Sequence, residues 1–134
     1  MEDIFVGRLM SSPVHTVDRD TPVQAAAETM VDADIGSLVV LAEDGTLDGI
    51  LTSTDFVHAA ADGELIGEAV VDEYCSDEVV TTDANDTVRD VADIMTEHGF
   101  HHVPVTDEGE VVGMITTSDM TAYVSHIEKP SPPT

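Results

Sequence analysis

The sequence predicts an α+β fold, in which two β-α-β-β-α repeats pack about a pseudo-twofold axis into one module. The first observation is a duplicated motif: a glycine, two apolar residues, a threonine, two small hydroxyl residues and an aspartate occupy residues 49–55 and again 113–119. The second is register, because apolar helix positions such as Met30 and Met95 recur 65 positions apart. Neither half of a 134-residue chain buries much core alone, so the halves are expected to share an interface.

The first repeat begins with an apolar segment at residues 4–10, which predicts a short helix. The helix should end before Pro13, because proline disfavours helix in the residue that precedes it. Residues 14–17 are rich in β-branched side chains and predict a short strand. An amphipathic helix follows, with Thr21 expected as its N-cap and Pro22 at its first position.

A continuous apolar run at residues 35–41 predicts a strand buried on both faces. Residues 43–45, Glu-Asp-Gly, are typical of a tight turn. Residues 47–51 form the predicted return strand, and the first copy of the motif then opens a second helix. The first repeat is therefore expected to end near residue 61.

The same order recurs in the second half. Its predicted elements are a helix over 70–75, a strand over 79–82, a helix capped by Asn85 or Asp86, strands over 102–105 and 111–115, and a last helix ending near Ile127. The predicted divisions are 4–61 for repeat 1, 62–69 for a linker, 70–127 for repeat 2 and 128–134 for a flexible tail.

The charge is strongly negative: four Lys plus Arg stand against 28 Asp plus Glu, for a net charge of −24. The acids are dispersed among 42% apolar residues, which indicates a folded domain with an acidic surface and not a disordered acidic tail. Self-repulsion should destabilise such a domain in dilute buffer and be screened in molar salt, so we expect a halophilic protein. Duplex nucleic acid is excluded as an expected partner, because its binding depends on clustered Lys and Arg.

No apolar run approaches the roughly 18 residues that predict a membrane span. The first residues lack the basic start and long apolar stretch of a signal peptide, so a soluble, cytoplasmic protein is expected. A single cysteine, Cys75, excludes an internal disulfide. No nucleophile-base set and no glycine-rich phosphate loop is present, and catalysis is not predicted.

Taken together, the chain resembles a tandem pair of CBS domains, the module named after cystathionine β-synthase. The resemblance covers nearly all of residues 6–127 and is carried by the two motif copies and by residues 99–105, Gly-Phe-His-His-Val-Pro-Val. It implies a stand-alone regulatory module, with AMP, ADP, ATP or S-adenosylmethionine bound in clefts between the repeats. It also implies a homodimer that acts on a regulated protein which the sequence does not identify.

The chemistry of such a ligand selects residues in the motif. A ribose diol needs an acceptor, and the carboxylates of Asp55 and Asp119 can each take two O–H donors. Thr52, Thr116 and Thr117 offer hydroxyls to phosphate. The alternative interpretation is that these threonines and aspartates are ordinary helix N-caps, which stabilise a helix by about 0.5–2 kcal/mol.

The resemblance adds five residues to this set. Thr16 and Thr81 match the family's second hydroxyl position, and Val14 and Val79 fall where the base commonly rests. His102 lies where family members often place a basic residue near phosphate, although it can equally be a solvent-facing strand residue.

Permanent positive charge near these residues is scarce, with Arg19 and Arg89 as weak phosphate candidates. A less anionic ligand, such as AMP or S-adenosylmethionine, therefore suits the chain better than ATP without a metal. Two other interpretations stay open. The clefts can be empty in a structural, dimerising module, or a weaker metal site can be formed by Glu97, His98 and the histidines at 101–102.

Overall fold

The structure is a computed structural model, which describes residues 4–65 and 67–128. The predicted α+β fold with two repeats of one element order is confirmed. The first repeat contains β1 (Thr16–Asp18), α1 (Val23–Ala33), β2 (Ser37–Leu41), β3 (Leu47–Thr52) and α2 (Ser53–Ala61). The second contains β4 (Thr82–Asp83), α3 (Val88–His98), β5 (His102–Asp107), β6 (Glu110–Thr116) and α4 (Thr117–Glu128).

Each repeat forms a three-stranded sheet with the same topology. In the order β1-β2-β3, β1 is parallel to β2, and β2 is antiparallel to β3. The order β4-β5-β6 repeats this arrangement. The register is also repeated, since Ser37 pairs with Thr52 in one sheet and His102 pairs with Thr116 in the other.

The compact units of the structure do not coincide with the sequence repeats. Val14–Val79 form one compact unit, here called the first-sheet unit. The described residues up to Pro13 and those from Val80 onward form the other, the second-sheet unit. The segment that precedes the first strand of each repeat therefore packs on the sheet of the other repeat.

These segments, residues 4–12 and 69–77, are called the docking segments. The helices predicted over 4–10 and 70–75 are wrong in type and length. In their place the segments contain only the short 3-10 turns Val6–Arg8 and Val71–Glu73. Their backbone groups form hydrogen bonds with the sheet units instead. For example, the amide of Val71 donates to the carbonyl of Thr21 at 2.9 Å. A longer helix would withdraw such groups from these contacts.

Docking also explains why one predicted helix cap is wrong. The N-cap of α1 is Pro22, not Thr21, and no side chain caps this helix. The amide of Val23 donates instead to the carbonyl of Ala69 in the docking segment, at 3.0 Å. The equivalent bond at α3 joins the amide of Val88 to the carbonyl of Ile4 at 2.8 Å. A helix N-terminus needs acceptors, and here the docked backbone supplies one.

The cap of α3 also differs from the prediction of Asn85 or Asp86. Thr87 is the N-cap, and its hydroxyl accepts from the amide of Asp90 at 3.2 Å. Asp86 instead accepts hydrogen bonds from residues that precede the helix. Its Oδ2 accepts from the amide of Asp83 at 2.8 Å and from the hydroxyl of Thr82 at 2.9 Å.

Each unit has its own apolar core, and each core includes a valine from a docking segment. Val71 is fully buried in the first-sheet core, with Leu38, Val40, Leu51, Ala26 and Met30. Val6 is fully buried in the second-sheet core, with Val91, Met95, Val103, Val105 and Ile115. Burial of these side chains stabilises the docking, at about 1.5–3 kcal/mol for a fully buried valine-sized group. Among the described residues, none of the helices has the length and apolar character that a membrane span requires.

Candidate functional site: two strand-to-helix corners

The duplicated motif lies where a return strand leads into a helix. The first corner, Thr52–Asp55, joins β3 to α2, and the second corner, Thr116–Asp119, joins β6 to α4. At the second corner the amide of Thr116 donates to Oδ2 of Asp119 at 2.9 Å, and the amide of Asp119 donates to the hydroxyl of Thr116 at 3.1 Å. This reciprocal pair is a capping box, so the N-cap interpretation of these residues is correct at the level of structure.

The first corner has the carboxylate half of the same arrangement. The amide of Thr52 donates to Oδ2 of Asp55 at 2.8 Å, and its hydroxyl lies 3.5 Å from the same oxygen. Asp55 is half-buried, and this burial raises its pKa, while the hydrogen bonds from Thr52 and the charge of His58 act in the opposite direction. The carboxylate is thus partly desolvated and gains from any further donor that reaches it.

The two carboxylate oxygens at each corner differ in their hydrogen bonding. Within the described part of the chain, the side-chain hydrogen bonds of Asp55 and Asp119 all use Oδ2. Oδ1 has no hydrogen bond there. Capping and ligand binding are therefore compatible roles of the same side chain.

The sheet side of the corners distinguishes the two copies. Ser37 pairs with Thr52 at the first corner and is buried, whereas His102 pairs with Thr116 at the second and is half-buried. Burial lowers the pKa of His102, and the charge of His101 lowers it further, while Asp119 raises it. The structure therefore brings His102, Thr116 and Asp119 together at the second corner, and their role as one ligand site stays a prediction.

The other predicted residues lie farther along the sheets. Thr16 is exposed on β1, where it pairs with Val39, and Val14 precedes that strand. Thr81 is exposed and directly precedes β4. The ten predicted residues thus divide between the units. Val14, Thr16, Thr52, Asp55 and Val79 lie in the first-sheet unit, and Thr81, His102, Thr116, Thr117 and Asp119 in the second-sheet unit.

Arg19 is not available to a phosphate group. Its guanidinium donates to Asp48, Asp72 and Asp77, which lie 29, 53 and 58 residues away in the sequence. These carboxylates, Asp48 foremost, raise the pKa of Arg19 and hold its charge. The sequence indicated Arg19 only as a weak phosphate candidate. No local signal marks three partners at such separations.

The histidine cluster does not form a recognisable metal site in the described residues. No group of three or more His, Cys, Asp or Glu side chains there is arranged to hold a metal ion. The ring of His98 stacks on Phe100, with ring centroids 5.2 Å apart and planes 11° from parallel. Cys75 is half-buried, and burial raises the pKa of its thiol.

Comparison with known proteins agrees with the repeated architecture. The family model of the CBS domain matches residues 6–62 and 71–126. Hypoxic response protein 1 of Mycobacterium tuberculosis is 32% identical over 117 residues, which are 87% of this chain and 82% of that protein. Uncharacterized protein MJ1225 of Methanocaldococcus jannaschii is 28% identical over 114 residues, but this chain spans only 40% of its length.

Two solved structures are especially informative. The CBS domain pair of protein MJ0100, in complex with 5′-methylthioadenosine and S-adenosyl-L-methionine, has a TM-score of 0.86 and 27% identity. The match covers 93% of this chain and 98% of that one. Hypoxic response protein 1, solved with two coordinated zinc ions, has a TM-score of 0.76 and 29% identity, over 90% of this chain and 98% of that one.

Proposed function

The chain belongs to the CBS domain family, and on that premise we propose that it is a regulatory module that binds an adenine nucleoside or nucleotide at its strand-to-helix corners. The observation that carries the proposal is that Oδ1 of Asp55 and Oδ1 of Asp119 have no hydrogen bond among the described residues. The relative MJ0100 binds two adenosine-containing molecules, which supports this class of ligand. We propose no catalytic role.

The ribose is the part of the ligand that the aspartates recognise. A carboxylate that already accepts one backbone amide has lone pairs left for the two hydroxyls of a ribose diol. The charge-assisted bonds so formed are roughly twice as strong as neutral ones. Both corners can provide this contact, and at the second corner His102 next to Asp119 adds an imidazole N–H donor for a ligand that also carries a phosphate.

The other residues have complementary roles in the proposal. Val14 and Val79 provide apolar surface and backbone groups for the adenine base. Thr16 and Thr81 offer hydroxyls beside the first strand of each repeat, and Thr117 offers one at the start of α4.

The charge of the protein restricts the ligand within this class. The net charge is −24, and Arg19 is held by three carboxylates. A nucleoside triphosphate without a metal brings several negative charges into this field. We therefore favour AMP or S-adenosylmethionine over ADP and ATP.

The proposal is tested by isothermal titration calorimetry with AMP, ADP, ATP and S-adenosylmethionine in concentrated KCl. Asp119→Ala and Asp55→Ala remove the ribose acceptors and should weaken binding at least about 10-fold, since charge-assisted bonds contribute about 1.5–3 kcal/mol each. Both variants also lose a helix cap, and this must be controlled.

Asp90→Ala is the matched control. Asp90 accepts from the amide of Thr87 at 3.0 Å and donates its own amide to that threonine at 3.2 Å. This box has the geometry of Thr116 and Asp119 but lies outside the motif. Asp90→Ala should lower stability and leave ligand affinity unchanged. Wild-type protein that binds none of the four compounds would contradict the sensor function.

A second function, a structural or dimerising module, is favoured by exposed apolar side chains on α1 and α2. Val31 is 78% exposed and Val57 is 67% exposed. We propose that a homodimer forms through these exposed side chains, with or without ligand. Sedimentation equilibrium of Val31→Asp with Val57→Asp should show monomer where the wild type shows dimer. Val124→Asp, a change at an exposed valine on α4, is the control.

We further propose that the module acts in the cytoplasm on a regulated protein. Ligand binding can influence that protein only to the extent that the ligand binds one conformation of the module more tightly than another. The regulated protein can be sought by affinity capture with and without the ligand found by calorimetry. Equal capture by wild type and Asp119→Ala would argue against ligand control.

A further inference from the structure

The two docking segments are held by the same backbone hydrogen bonds. In the first-sheet unit the amides of Ser76 and Ile50 each donate to the other residue's carbonyl, at 2.9 and 3.0 Å. In the second-sheet unit Ser11 and Met114 exchange the same two bonds, at 2.8 and 3.0 Å. The backbone therefore gives no reason for the two segments to dock differently.

The side chains do give a reason. Arg19 lies at the centre of an ion cluster in the first-sheet unit. Its Nε donates to Asp48 Oδ2 at 2.5 Å, its NH1 to Asp72 Oδ1 at 2.7 Å, and its NH2 to Asp77 Oδ1 at 2.6 Å. NH2 also donates to the carbonyl of Asp48 at 3.1 Å, and NH1 contacts Cys75 Sγ at 3.4 Å. Asp72, Asp77 and Cys75 belong to the docking segment, so the guanidinium joins it to the sheet.

None of the four charged members has a charged counterpart in the other unit. By the register of the repeats, the positions of Arg19, Asp48, Asp72 and Asp77 correspond to Ala84, Val112, Gly7 and Ser12. There, close packing replaces the ions: a Cβ on Gly7 would lie 3.2 Å from the carbonyl oxygen of Ala84. All four charged residues are thus present in the first-sheet unit, and all four are replaced by uncharged residues in the second-sheet unit.

We propose that Arg19 is an electrostatic latch, which holds docking segment 69–77 on the first-sheet unit and makes the docking of this segment, unlike that of segment 4–12, sensitive to ionic strength. The guanidinium of Arg19 is planar and carries five N–H donors in a fixed arrangement. It can therefore bind three carboxylates at once. A lysine ammonium in its place is a point charge and cannot reproduce these directions.

The latch lies close in sequence to the first corner. Asp48 and Ile50 are both on β3, and β3 ends at Thr52. Release of the segment removes the pairing partner of Ile50 and leaves that edge of β3 open. The docking of a segment from repeat 2 is thereby linked to the strand that positions Asp55.

Loss of the guanidinium has a definite electrostatic consequence. Three carboxylates remain around an empty centre, and they repel one another. Added salt screens this repulsion, because the screening length falls from about 10 Å at 0.1 M to roughly 3 Å at 1 M. Undocking in an Arg19 variant should therefore be most pronounced at low salt and diminish as KCl is added.

The test is amide hydrogen exchange on the whole protein, with Ser76 and Ile50 as reporters and Ser11 and Met114 as internal controls. In Arg19→Met the reporters should exchange at least about 10-fold faster than in wild type at low salt, and the controls should not change. In about 1 M KCl the difference should shrink. Arg89→Met is the matched control, since it removes the same charge from an exposed residue of α3 and should leave all four amides unchanged.

Equal acceleration of all four amides in Arg19→Met would show that Arg19 supports the whole fold, and it would overturn the latch. Unchanged exchange at Ser76 and Ile50 would do the same. Asp77→Asn provides a milder variant should Arg19→Met fail to fold, because Asp77 is the most exposed partner, at 78%. It should accelerate the same two amides by a smaller factor, and a variant without effect on them would also contradict the latch.

Discussion

Gly49 lies directly against the backbone carbonyl of Ser76: a Cβ on this glycine would stand 2.8 Å from that oxygen. Gly113 has the same relationship with Ser11, at 2.7 Å. Such a distance is shorter than a carbon and an oxygen tolerate, and a docked backbone cannot move aside easily. The glycine that begins each copy of the motif therefore allows the close approach of the docking segment.

Gly49→Ala and Gly113→Ala should each lower the free energy of unfolding by about 1–3 kcal/mol or more, because the added methyl forces the docked strand away. Chemical denaturation measures the loss. The matched control is Gly45→Ala, where a Cβ meets no atom within 4 Å and the cost comes only from a φ of +85°. Exchange of the Ser76 amide should accelerate in Gly49→Ala and not in Gly45→Ala. The reverse result would refute the steric explanation.

Thr87 should contribute more to stability than Thr96, a threonine in the last turn of the same helix. Thr87→Ala removes the hydroxyl that caps the Asp90 amide and should cost about 0.5–2 kcal/mol. Thr96 instead donates to the carbonyl of Ala92 within α3 at 2.9 Å, and Thr96→Ala should be neutral or slightly stabilising. Urea denaturation of both variants distinguishes the two roles, and equal losses would argue against the cap.

His102 should make stability fall on mild acidification. Because burial lowers its pKa in the folded state, the unfolded chain binds this proton more tightly. The contribution is complete above the ordinary pKa of 6.5 and is lost as the pH falls through that value toward the folded-state pKa. The groups that act on His102 are His101 and Asp119.

The measurement is the free energy of unfolding at about pH 7.5 and about pH 5.5, on either side of the ordinary histidine pKa. His102→Gln should lose less stability on acidification than the wild type. His15→Gln, at an exposed histidine of the other unit, should behave like the wild type. If His102→Gln and wild type have the same pH dependence, the burial of this imidazole has no thermodynamic consequence.

Salt should stabilise the whole protein. With a net charge of −24, self-repulsion opposes folding in dilute buffer. The midpoint of thermal unfolding should be higher in about 2–3 M KCl than without salt, with most of the rise below about 1 M, where screening is already strong. A midpoint that is no lower in salt-free buffer would refute the hypothesis of a halophilic protein.

The duplication, the order of elements and the two corners could be predicted from the sequence because they depend on local patterns. The apolar run before Glu43 predicted a buried strand, and Ser37, Leu38, Val39 and Val40 are all buried. Threonine and aspartate three residues apart predicted helix starts, and both pairs are at helix starts. Hydrophobic periodicity and capping involve neighbours within a few residues, so one sequence window contains the information.

The docking of segments 4–12 and 69–77 could not be predicted in the same way. Either segment has the composition to pack on the sheet of its own repeat, since both repeats offer the same backbone groups. The choice depends on which carbonyls lie within reach after the chain has folded. Two kinds of incorrect prediction follow from this: the helices over 4–10 and 70–75, and the cap at Thr21. In both cases the backbone groups form hydrogen bonds with a segment that is distant in the sequence.

The sequence by itself determined that this protein is a pair of CBS repeats with a threonine and an aspartate at each corner. These features depend on periodic and short-range patterns of residues. Only the tertiary structure decided what the remaining groups do. It placed Arg19 among Asp48, Asp72 and Asp77, as far as 58 residues away, and it left Oδ1 of each motif aspartate without a partner in the described residues. Ion pairs and free lone pairs depend on positions in space, and a linear pattern does not contain those positions.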